Sequence, residues 1–299
     1  MSDKNNFNQN NFIPAENIKQ LISDIKEKKE LKELSADFVR EHLFQILNAQ
    51  PKLTQELISN FNPRSSAYKT ILKNVRAKLR RVYGLFRVEK ENKDRKNLFK
   101  ELLISPQPKW NRLIINILET HSSTKERLPF YKQLYPKIFK ISGKPKTIID
   151  LGAGINPFSL SYLNLNELNY YAYDLSEEEV EMLNKFFGLI HTQNKEINAQ
   201  AAILDLMNFV KLKELIKADV CFLFKMTDVL DRGQGHKTSE IIISNIPASY
   251  VVVSFPTLTM SGKKMNHPRR KWIELMSQRL GYDYKILEFS NEIFYILKK

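Results

Sequence analysis

The sequence is poor in cysteine and glycine and contains no long apolar run. A single cysteine, Cys221, in 299 residues excludes a disulfide scaffold and a cysteine-built zinc site. No stretch of 18 or more apolar residues is present, so the sequence predicts no membrane-spanning helix. The Asn-rich residues 1–11 lack the apolar stretch of a signal peptide, and we expect a cytoplasmic protein. Because the chain has only nine glycines, a glycine in a loop suggests a tight turn or a close approach.

Positive charge is abundant and unevenly distributed. The chain has 47 Lys and Arg against 33 Asp and Glu, which gives a formal net charge of +14. Residues 64–100 hold thirteen basic side chains and three acidic ones, and the apolar residues within 71–82 recur at spacings of three and four. This pattern predicts a helix with one buried face and one basic face, suited to a nucleic acid backbone. A solvated helix face and a helix lying on an anionic membrane are the alternative interpretations.

The pattern of the chain changes near residue 140. Residues 1–15 are expected to form a flexible tail, and residues 16–139 have apolar positions at helical spacing that prolines divide into five or six helices. Beyond residue 140, short apolar runs alternate with helical segments, as in βαβ units. The candidate strands are 147–150, 170–173, 199–204, 220–224, 250–255, 285–289 and 293–297. With the last two forming a hairpin, we predict an α/β fold, a seven-stranded Rossmann-like class I methyltransferase sheet (140–299) behind an all-helical N-terminal domain (16–139).

The first predicted strand runs into a Gly-x-Gly turn at 152–154. Asn156 can cap the helix that follows, and Pro157 suits its first position. A dinucleotide-binding loop would have a third glycine where this chain has Pro157, and the Walker pattern is absent. The turn therefore predicts a ligand site that lacks the phosphate-binding loops.

Acidic residues follow three successive predicted strands. Asp150 ends the first, Asp174 ends the second, and Asp205 follows the third. An acid in the position of Asp174 can accept both ribose hydroxyls of a nucleoside, and Asp205 is placed to meet an adenine amino group. Each acid alone could be a helix cap. Together they favour a nucleoside without phosphate and with a positive centre, a description that S-adenosylmethionine fits.

Several segments in a fixed order resemble one enzyme family. They are His-Ser-Ser-Thr-Lys-Glu-Arg (121–127), the strand and Gly-Ala-Gly-Ile-Asn-Pro turn (149–157), and the segments 171–174, 222–226, 254–256 and 261–263. From residue 69 onward, the chain resembles the Arm (FmrO-like) family of aminoglycoside-resistance methyltransferases. These enzymes use S-adenosylmethionine to methylate N7 of a guanine in the decoding site of 16S ribosomal RNA. Such a function implies a 30S-subunit partner.

The resemblance implies a cofactor site. Arg127 would pair with the methionine carboxylate of the cofactor, the turn at 152–154 would lie against its amino acid portion, and Asp174 would hold the ribose. Asp205 and Leu206 would flank the adenine. The full set of implied cofactor-binding residues is Arg127, Asp150, Gly152, Ala153, Gly154, Asp174, Leu175, Asp205 and Leu206.

RNA contacts are predicted on both sides of the cofactor motifs. Lys78-Leu79 matches a family segment of the N-terminal docking region, although Arg80 replaces the family histidine. The loop 257–271 leaves the carboxyl end of the fifth predicted strand and is rich in Lys and Arg. The predicted RNA-binding residues are Arg76, Lys78, Arg80, Arg81, Lys225, Lys263, Lys264, Arg269 and Arg270.

Guanine N7 has a lone pair and no proton, so we nominate no proton-transfer residue and expect catalysis by alignment. His121 and His267 lack metal-ligand spacing, so we expect no metal. We also expect a monomer. The alternatives are a methyltransferase for another RNA, such as transfer RNA or another ribosomal site, a small-molecule methyltransferase with a helical lid, and an RNA-binding protein without catalysis. The basic segment 64–100 argues against the second, and the intact glycine turn and acids argue against the third.

Overall fold

The computed structural model describes residues 13–83, 89–231, 235–259 and 262–299, and for 81–83 and 89–93 it describes the backbone alone. The chain divides into two compact units, Met1–Arg87 and Val88–Lys299. Most of the predicted tail lies outside the described residues. Its final part is structured, because Ile13 is buried and the first helix begins at Ala15.

The N-terminal unit is helical. Its helices are α1 (Ala15–Lys26), α2 (Ala36–Ala49), α3 (Pro51–Ser59) and α4 (Ser66–Tyr83), with a short 3-10 helix at Lys29–Leu31. The hydroxyl of Ser35 caps α2 by accepting a hydrogen bond from the Phe38 N–H at 3.0 Å. Helix α4 buries Ile71, Val75 and Leu79, which are spaced by four residues, so the predicted amphipathic helix is present.

Four helices of the C-terminal unit precede its sheet: α5 (Glu89–Ile104), α6 (Trp110–Glu119), α7 (Ser122–Arg127) and α8 (Tyr131–Ser142). Leu102, Ile117 and Ile138 from these helices share a hydrophobic cluster with the sheet residues Phe222 and Phe294. The division between the two units therefore falls after residue 87, whereas the sequence placed it at residue 140. The reason is that α5, α6 and α8 bury their apolar faces against the sheet.

The sheet has seven strands: β1 (Thr147–Leu151), β2 (Leu168–Asp174), β3 (Ile197–Ile203), β4 (Ala218–Phe224), β5 (Ala248–Pro256), β6 (Asp283–Glu288) and β7 (Glu292–Lys298). Their order is β3-β2-β1-β4-β5-β7-β6. Strands β1 to β5 are parallel, and β7 is antiparallel to both of its neighbours. The predicted fold class is confirmed. The other helices are α9 (Glu177–Gln193), α10 (Phe209–Lys213), α11 (Thr227–Asp231), α12 (Lys237–Asn245) and α13 (Lys271–Leu280).

Both faces of the sheet are covered, which explains the continuous apolar runs in the strand sequences. Along β4, Phe222 and Phe224 belong to the hydrophobic cluster on one face, and Cys221 and Leu223 belong to the cluster on the other. The parallel strands β1 and β4 are adjacent, and the chain order reverses between them. In such sheets, ligands bind beyond the carboxyl ends of the strands at this switch point.

The segment after the glycine turn is a 3-10 helix, Asn156–Leu163. The expectation that Asn156 caps an α-helix is wrong, because the cap position is Ile155 and no side chain caps it. The amide of Asn156 instead makes buried contacts with Asp150 and Arg127.

Candidate active site

The glycine turn connects the ends of three parallel strands. Gly152 and Gly154 have φ angles of +64° and +49°, values that side-chain-bearing residues rarely adopt. The Ala153 N–H donates to the carbonyl of Tyr173, the penultimate residue of β2, at 3.0 Å. A Cβ added to Gly152 would collide with the side chain of Met226, just beyond β4. The turn therefore passes closely between the ends of β2 and β4.

The Asp174 carboxylate is oriented by two backbone N–H groups. Its Oδ2 accepts from Gly154 at 2.8 Å, and its Oδ1 accepts from Ser176 at 3.0 Å. Ser176 caps α9, with its hydroxyl accepting from the Glu179 N–H at 3.3 Å. These contacts place the carboxylate beside the turn, and the neighbouring Leu175 is half-buried.

The residues after β3 continue this edge. The Leu204 N–H donates to the carbonyl of Asp174 at 3.1 Å, so the end of β3 is joined to the end of β2. Asp205 closes a turn by accepting from the Met207 N–H at 2.8 Å, and Leu206 is buried. The structure thus brings the predicted residues that follow β1, β2 and β3 to one edge of the sheet.

Asp150 lies inside the protein rather than on this edge. It is 1% exposed, and its Oδ2 accepts hydrogen bonds from Asn156 at 2.9 Å and from the Tyr170 hydroxyl at 2.6 Å. Burial raises the pKa of Asp150 to about 6, against the opposing effect of these two donors. The contacts of Asp150 indicate that it supports the turn from beneath.

Arg127, at the end of α7, is also enclosed. It is 1% exposed, and its Nε lies 3.1 Å from both carboxylate oxygens of Glu292, which is itself fully buried. Its Nη1 donates to Asn156 Oδ1 at 3.1 Å and to the Tyr131 hydroxyl at 3.4 Å. Its guanidinium carbon lies 4.8 Å from the ring centre of Phe224. Burial opposes the charge of Arg127, but Glu292 outweighs this effect, and the pKa of Arg127 is raised.

Lys225 adds a second cation to the same carboxylate. Its Nζ bonds to Glu126 and lies 3.5 Å from Glu292 Oε2, and its side chain is 16% exposed. Its φ of +57° is unusual for a residue with a side chain. The Lys225 N–H donates to the Ser254 hydroxyl at 3.0 Å, and this hydroxyl donates to Glu292 Oε1 at 2.5 Å. Lys225, predicted to contact RNA, is therefore part of this ion network.

His121 is a neutral member of this region. As the N-cap of α7, its Nδ1 accepts from the Ser123 N–H at 3.3 Å, which leaves the proton on Nε2. Burial and the nearby charges of Arg95, Arg127 and Lys225 lower the pKa of His121 to about 3. The imidazole is therefore uncharged at neutral pH.

The predicted RNA-binding residues of α4 make contacts within the N-terminal unit. Arg76 is largely enclosed, donates to the Asp24 carbonyl and lies 3.8 Å from Glu27. Lys78 donates to Gln45, and Arg80 pairs with Glu30 at 2.6 Å. The side chain of Arg81 lies outside the described part of the chain. Two other lysines of this helix, Lys69 and Lys73, are exposed, and their side chains have no ionic or hydrogen-bonding partner among the described residues.

The loop after β5 contains one enclosed arginine and several exposed cations. Arg270 packs over the Phe255 ring at 5.1 Å and donates to the carbonyls of Pro268 and Pro256, at 3.0 and 3.3 Å. Lys263, Lys264 and Arg269 are exposed, and Arg269 pairs with the exposed Glu288 at 3.4 Å. The contacts of Arg270 are therefore structural ones, and the exposed cations form the basic surface of this loop.

Sequence reasoning missed Glu292 and Ser254, which organise the ion network. Ser254 lies in a segment that carried the family resemblance, but the pattern gave it no role. Glu292 is separated from Arg127 by 165 residues and follows a turn, where an acidic residue is unremarkable. No local signal identifies such a partner.

No helix of the described ranges is long and apolar enough to cross a membrane. Within the same ranges, no group of three or more His, Cys, Asp or Glu side chains could hold a metal ion.

Comparison with known proteins identifies the family. The model of the FmrO ribosomal RNA methyltransferase family matches residues 56–296. The 16S rRNA (guanine(1405)-N(7))-methyltransferase of Proteus mirabilis is 26% identical over 263 residues, which are 83% of this chain and 89% of the relative. The enzyme of the same name from Micromonospora rosea is 29% identical over 196 residues, or 64% and 66% of the two chains.

Solved structures show the same fold. The 16S rRNA methyltransferase RmtF, in complex with S-adenosyl-L-homocysteine, has a TM-score of 0.67 and 20% identity over 96% of this chain and all of its own (100%). The 16S rRNA methylase ArmA has a TM-score of 0.51 and 26% identity over 67% of this chain and 97% of its own. With the family match extending over most of its length, this chain belongs to the FmrO family of ribosomal RNA methyltransferases.

Proposed function

We propose that this protein transfers a methyl group from S-adenosylmethionine to N7 of a guanine in the decoding site of 16S ribosomal RNA, the guanine 1405 named for its relatives. The observation that carries the proposal is the juxtaposition of the glycine turn, Asp174 and Asp205 at the carboxyl edge of a methyltransferase sheet, with the buried Arg127 joined to this turn segment through Asn156. The family requires an RNA substrate, and this edge suits a nucleoside cofactor.

The residues at this edge fit S-adenosylmethionine. A Cβ added at Gly154 would meet no atom of the described residues within 4 Å, so among them there is space against the turn. Among the described residues, none accepts a hydrogen bond from Nη2 of Arg127, and this N–H group suits the methionine carboxylate. Asp174 would accept from the ribose hydroxyls, and Leu175, Asp205 and Leu206 would border the adenine.

The protein supplies binding and alignment rather than proton transfer. When bound, S-adenosylmethionine would supply a methyl group on a positively charged sulfur; a neutral lone pair that bonds to the methyl carbon breaks the carbon–sulfur bond, and S-adenosylhomocysteine leaves as a neutral thioether. Guanine N7 has such a lone pair and no proton, so no general base is needed. His121 is neutral because it is buried near the charges of Arg127 and Lys225. Since guanine N7 carries no proton, His121 has no proton to remove during methyl transfer. Arg127 would hold the methionine carboxylate and Asp174 the ribose, and these two contacts would orient the methyl group.

The RNA surface is proposed to use exposed cations. In the N-terminal unit these are Lys69 and Lys73 on α4, and in the C-terminal unit they are Lys263, Lys264 and Arg269. Flexible lysines in solvent exchange their counterions for phosphates, whereas Arg76 and Arg270 already satisfy backbone carbonyls. The partner is the 30S subunit, the protein acts as a monomer in the cytoplasm, and no metal takes part.

The test is methyl transfer from labelled S-adenosylmethionine to purified 30S subunits, with naked 16S ribosomal RNA and transfer RNA in parallel. The modified position is mapped by chemical cleavage at N7-methylguanine. Label at guanine 1405, lost in the D174A variant, is the expected result. Label confined to transfer RNA or to another ribosomal site would show that the substrate is a different nucleotide from the one proposed. Label in no RNA would contradict the proposal as a whole.

A cellular measurement tests the consequence of this modification. Expression in a susceptible bacterium should raise the inhibitory concentration of aminoglycosides that bind the decoding site, and D174A should abolish the rise. Resistance that persists in D174A would show that methyl transfer is not its cause.

A further inference from the structure

The carboxylate of Glu292 joins its own strand to three other parts of the C-terminal unit. Glu292 is the first residue of β7 and is 0% exposed. Both of its oxygens accept from Arg127 Nε at 3.1 Å, and Oε1 also accepts from the Ser254 hydroxyl at 2.5 Å. Lys225 Nζ lies 3.5 Å from Oε2. The carboxylate therefore contacts the end of α7, strand β5 and the residue that follows β4.

These contacts fix the orientation of the Arg127 guanidinium. Its Nε is held by Glu292, its Nη1 by Asn156 and Tyr131, and its carbon lies over the ring of Phe224. A planar group held along one edge and on one face retains a single direction for its remaining nitrogen. That nitrogen is Nη2, for which the described residues provide no acceptor.

We propose that Glu292 is a positioning residue for the α-carboxylate of the cofactor and acts through Arg127. The inference rests on the proposed function, because it assigns Arg127 Nη2 to that carboxylate. Glu292 holds the guanidinium charged and oriented before the cofactor arrives, so that binding does not have to organise it.

The charges around Glu292 support this assignment. Two carboxylates near one guanidinium would repel each other, and a second cation is needed to balance them. Lys225 provides that cation beside Glu292 Oε2. Its position is fixed in turn, because its N–H donates to the same Ser254 hydroxyl that donates to Glu292. Lys225 also pairs with Glu126, whose side chain is exposed to solvent, so the enclosed groups alone, Arg127, Lys225 and Glu292, carry one net positive charge toward a second anion.

The test compares two ligands that differ in the amino acid portion. S-adenosylhomocysteine carries the carboxylate, whereas 5′-methylthioadenosine has the same nucleoside and thioether without it. In E292Q, calorimetry should show S-adenosylhomocysteine binding at least tenfold weaker and 5′-methylthioadenosine within twofold of the wild type. R127M should show the same selective loss, and the double variant should lose little more than R127M alone. S254A should produce a smaller loss of the same kind.

Glu288→Gln is the matched control, because it removes an exposed acid from the neighbouring strand β6 and should leave both affinities unchanged. Equal weakening of the two ligands in E292Q would indicate a collapsed pocket and overturn the proposal, and unchanged S-adenosylhomocysteine binding would overturn it as well. If E292Q fails to fold, S254A decides by the same criterion. A wild type that binds neither ligand would contradict the proposed function instead.

Discussion

The side-chain amide of Asn156 donates to the carboxylate of Asp150 at 2.9 Å, while its oxygen accepts from Arg127 at 3.1 Å. A single buried amide therefore links the carboxyl end of β1 to the arginine at the end of α7. Tyr131 donates to the same Asn156 oxygen at 2.8 Å. The start of the 3-10 helix is thus part of the site.

Replacing Asn156 with Ala should destabilise the protein and weaken cofactor binding together. The change removes one of the two donors to the buried Asp150 carboxylate and the acceptor shared by Tyr131 and Arg127, which costs about 2–3 kcal/mol of unfolding free energy. Chemical denaturation and calorimetry with S-adenosylhomocysteine measure the two effects. N166A, which alters an exposed asparagine shortly after the 3-10 helix, should stay within about 0.5 kcal/mol of the wild type. Full stability of N156A would contradict the contacts described.

His121 should make the protein less stable as the solution becomes acidic. Its pKa is lowered to about 3 in the folded state, mainly by burial, against an ordinary value of 6.5. The unfolded state therefore binds more protons below pH 6.5, and stability falls as the pH drops from 6.5 towards 3. At pH 5 the wild type should have lost about 2 kcal/mol relative to H121Q, compared with the difference at pH 8. Parallel denaturation profiles of the two proteins across this range would disprove the assignment.

Gly152 and Gly154 should respond differently to a methyl group. Both substitutions place alanine at positive φ, which costs about 1–2 kcal/mol. Only G152A brings a Cβ against the side chain of Met226, so G152A should be the less stable variant. Denaturation of a double-mutant cycle should show about 1 kcal/mol of coupling between G152A and M226A. G154A and M226A should be additive within about 0.5 kcal/mol, and coupling there would contradict the geometry.

The exposed lysines of α4 should bind RNA, whereas Arg76 should stabilise the fold. Neutralising Lys69 and Lys73 to Gln should weaken 16S ribosomal RNA binding and reduce the slope of log K against log salt by about 2, one for each phosphate contact. K19Q/K32Q removes the same charge from exposed positions on or after α1 and is the matched control. Filter binding at several salt concentrations gives the slopes. Equal slopes of log K against log salt for the two double variants would contradict the prediction that α4 contacts RNA.

R76A separates the structural role from RNA binding. Arg76 is largely enclosed and donates to the Asp24 carbonyl, so its loss should cost about 1–3 kcal/mol of unfolding free energy. Thermal denaturation of the full chain measures this loss. A variant as stable as the wild type but defective in RNA binding would restore the direct role predicted from the sequence.

The sheet was largely predictable because its signal is local. Both faces of β4 are buried, so the run 220–224 reads as apolar throughout, and the strand extends only two residues further, from Ala218. The hairpin was placed at 285–289 and 293–297 and is observed at Asp283–Glu288 and Glu292–Lys298. The family prediction is also confirmed, because the FmrO family model matches residues 56–296.

Pairings across the fold were not predictable. Periodicity identified the buried face of α4. It could not show that Arg76 would donate to the Asp24 carbonyl while Lys73 would stay in solvent. Similarly, the sequence pattern predicted that Asp150 ends a strand, but it did not show that the Asp150 side chain turns inward and accepts a hydrogen bond from Tyr170. These outcomes depend on which distant element packs beside the residue, and the roles assigned to the site residues stay predictions until ligands are tested.

The pairing of Arg127 with Glu292 also links the site to the order in which the chain folds. The two residues are 165 positions apart, and Glu292 reaches the arginine only when β7 lies against β5. Until that strand docks, the arginine lacks its hydrogen-bonded counter-charge, so the pocket is completed by a contact between residues that are distant in sequence. Local opening of the β6–β7 hairpin would release the arginine without disturbing the glycine turn. Hydrogen exchange in this hairpin and affinity for the cofactor should therefore change together.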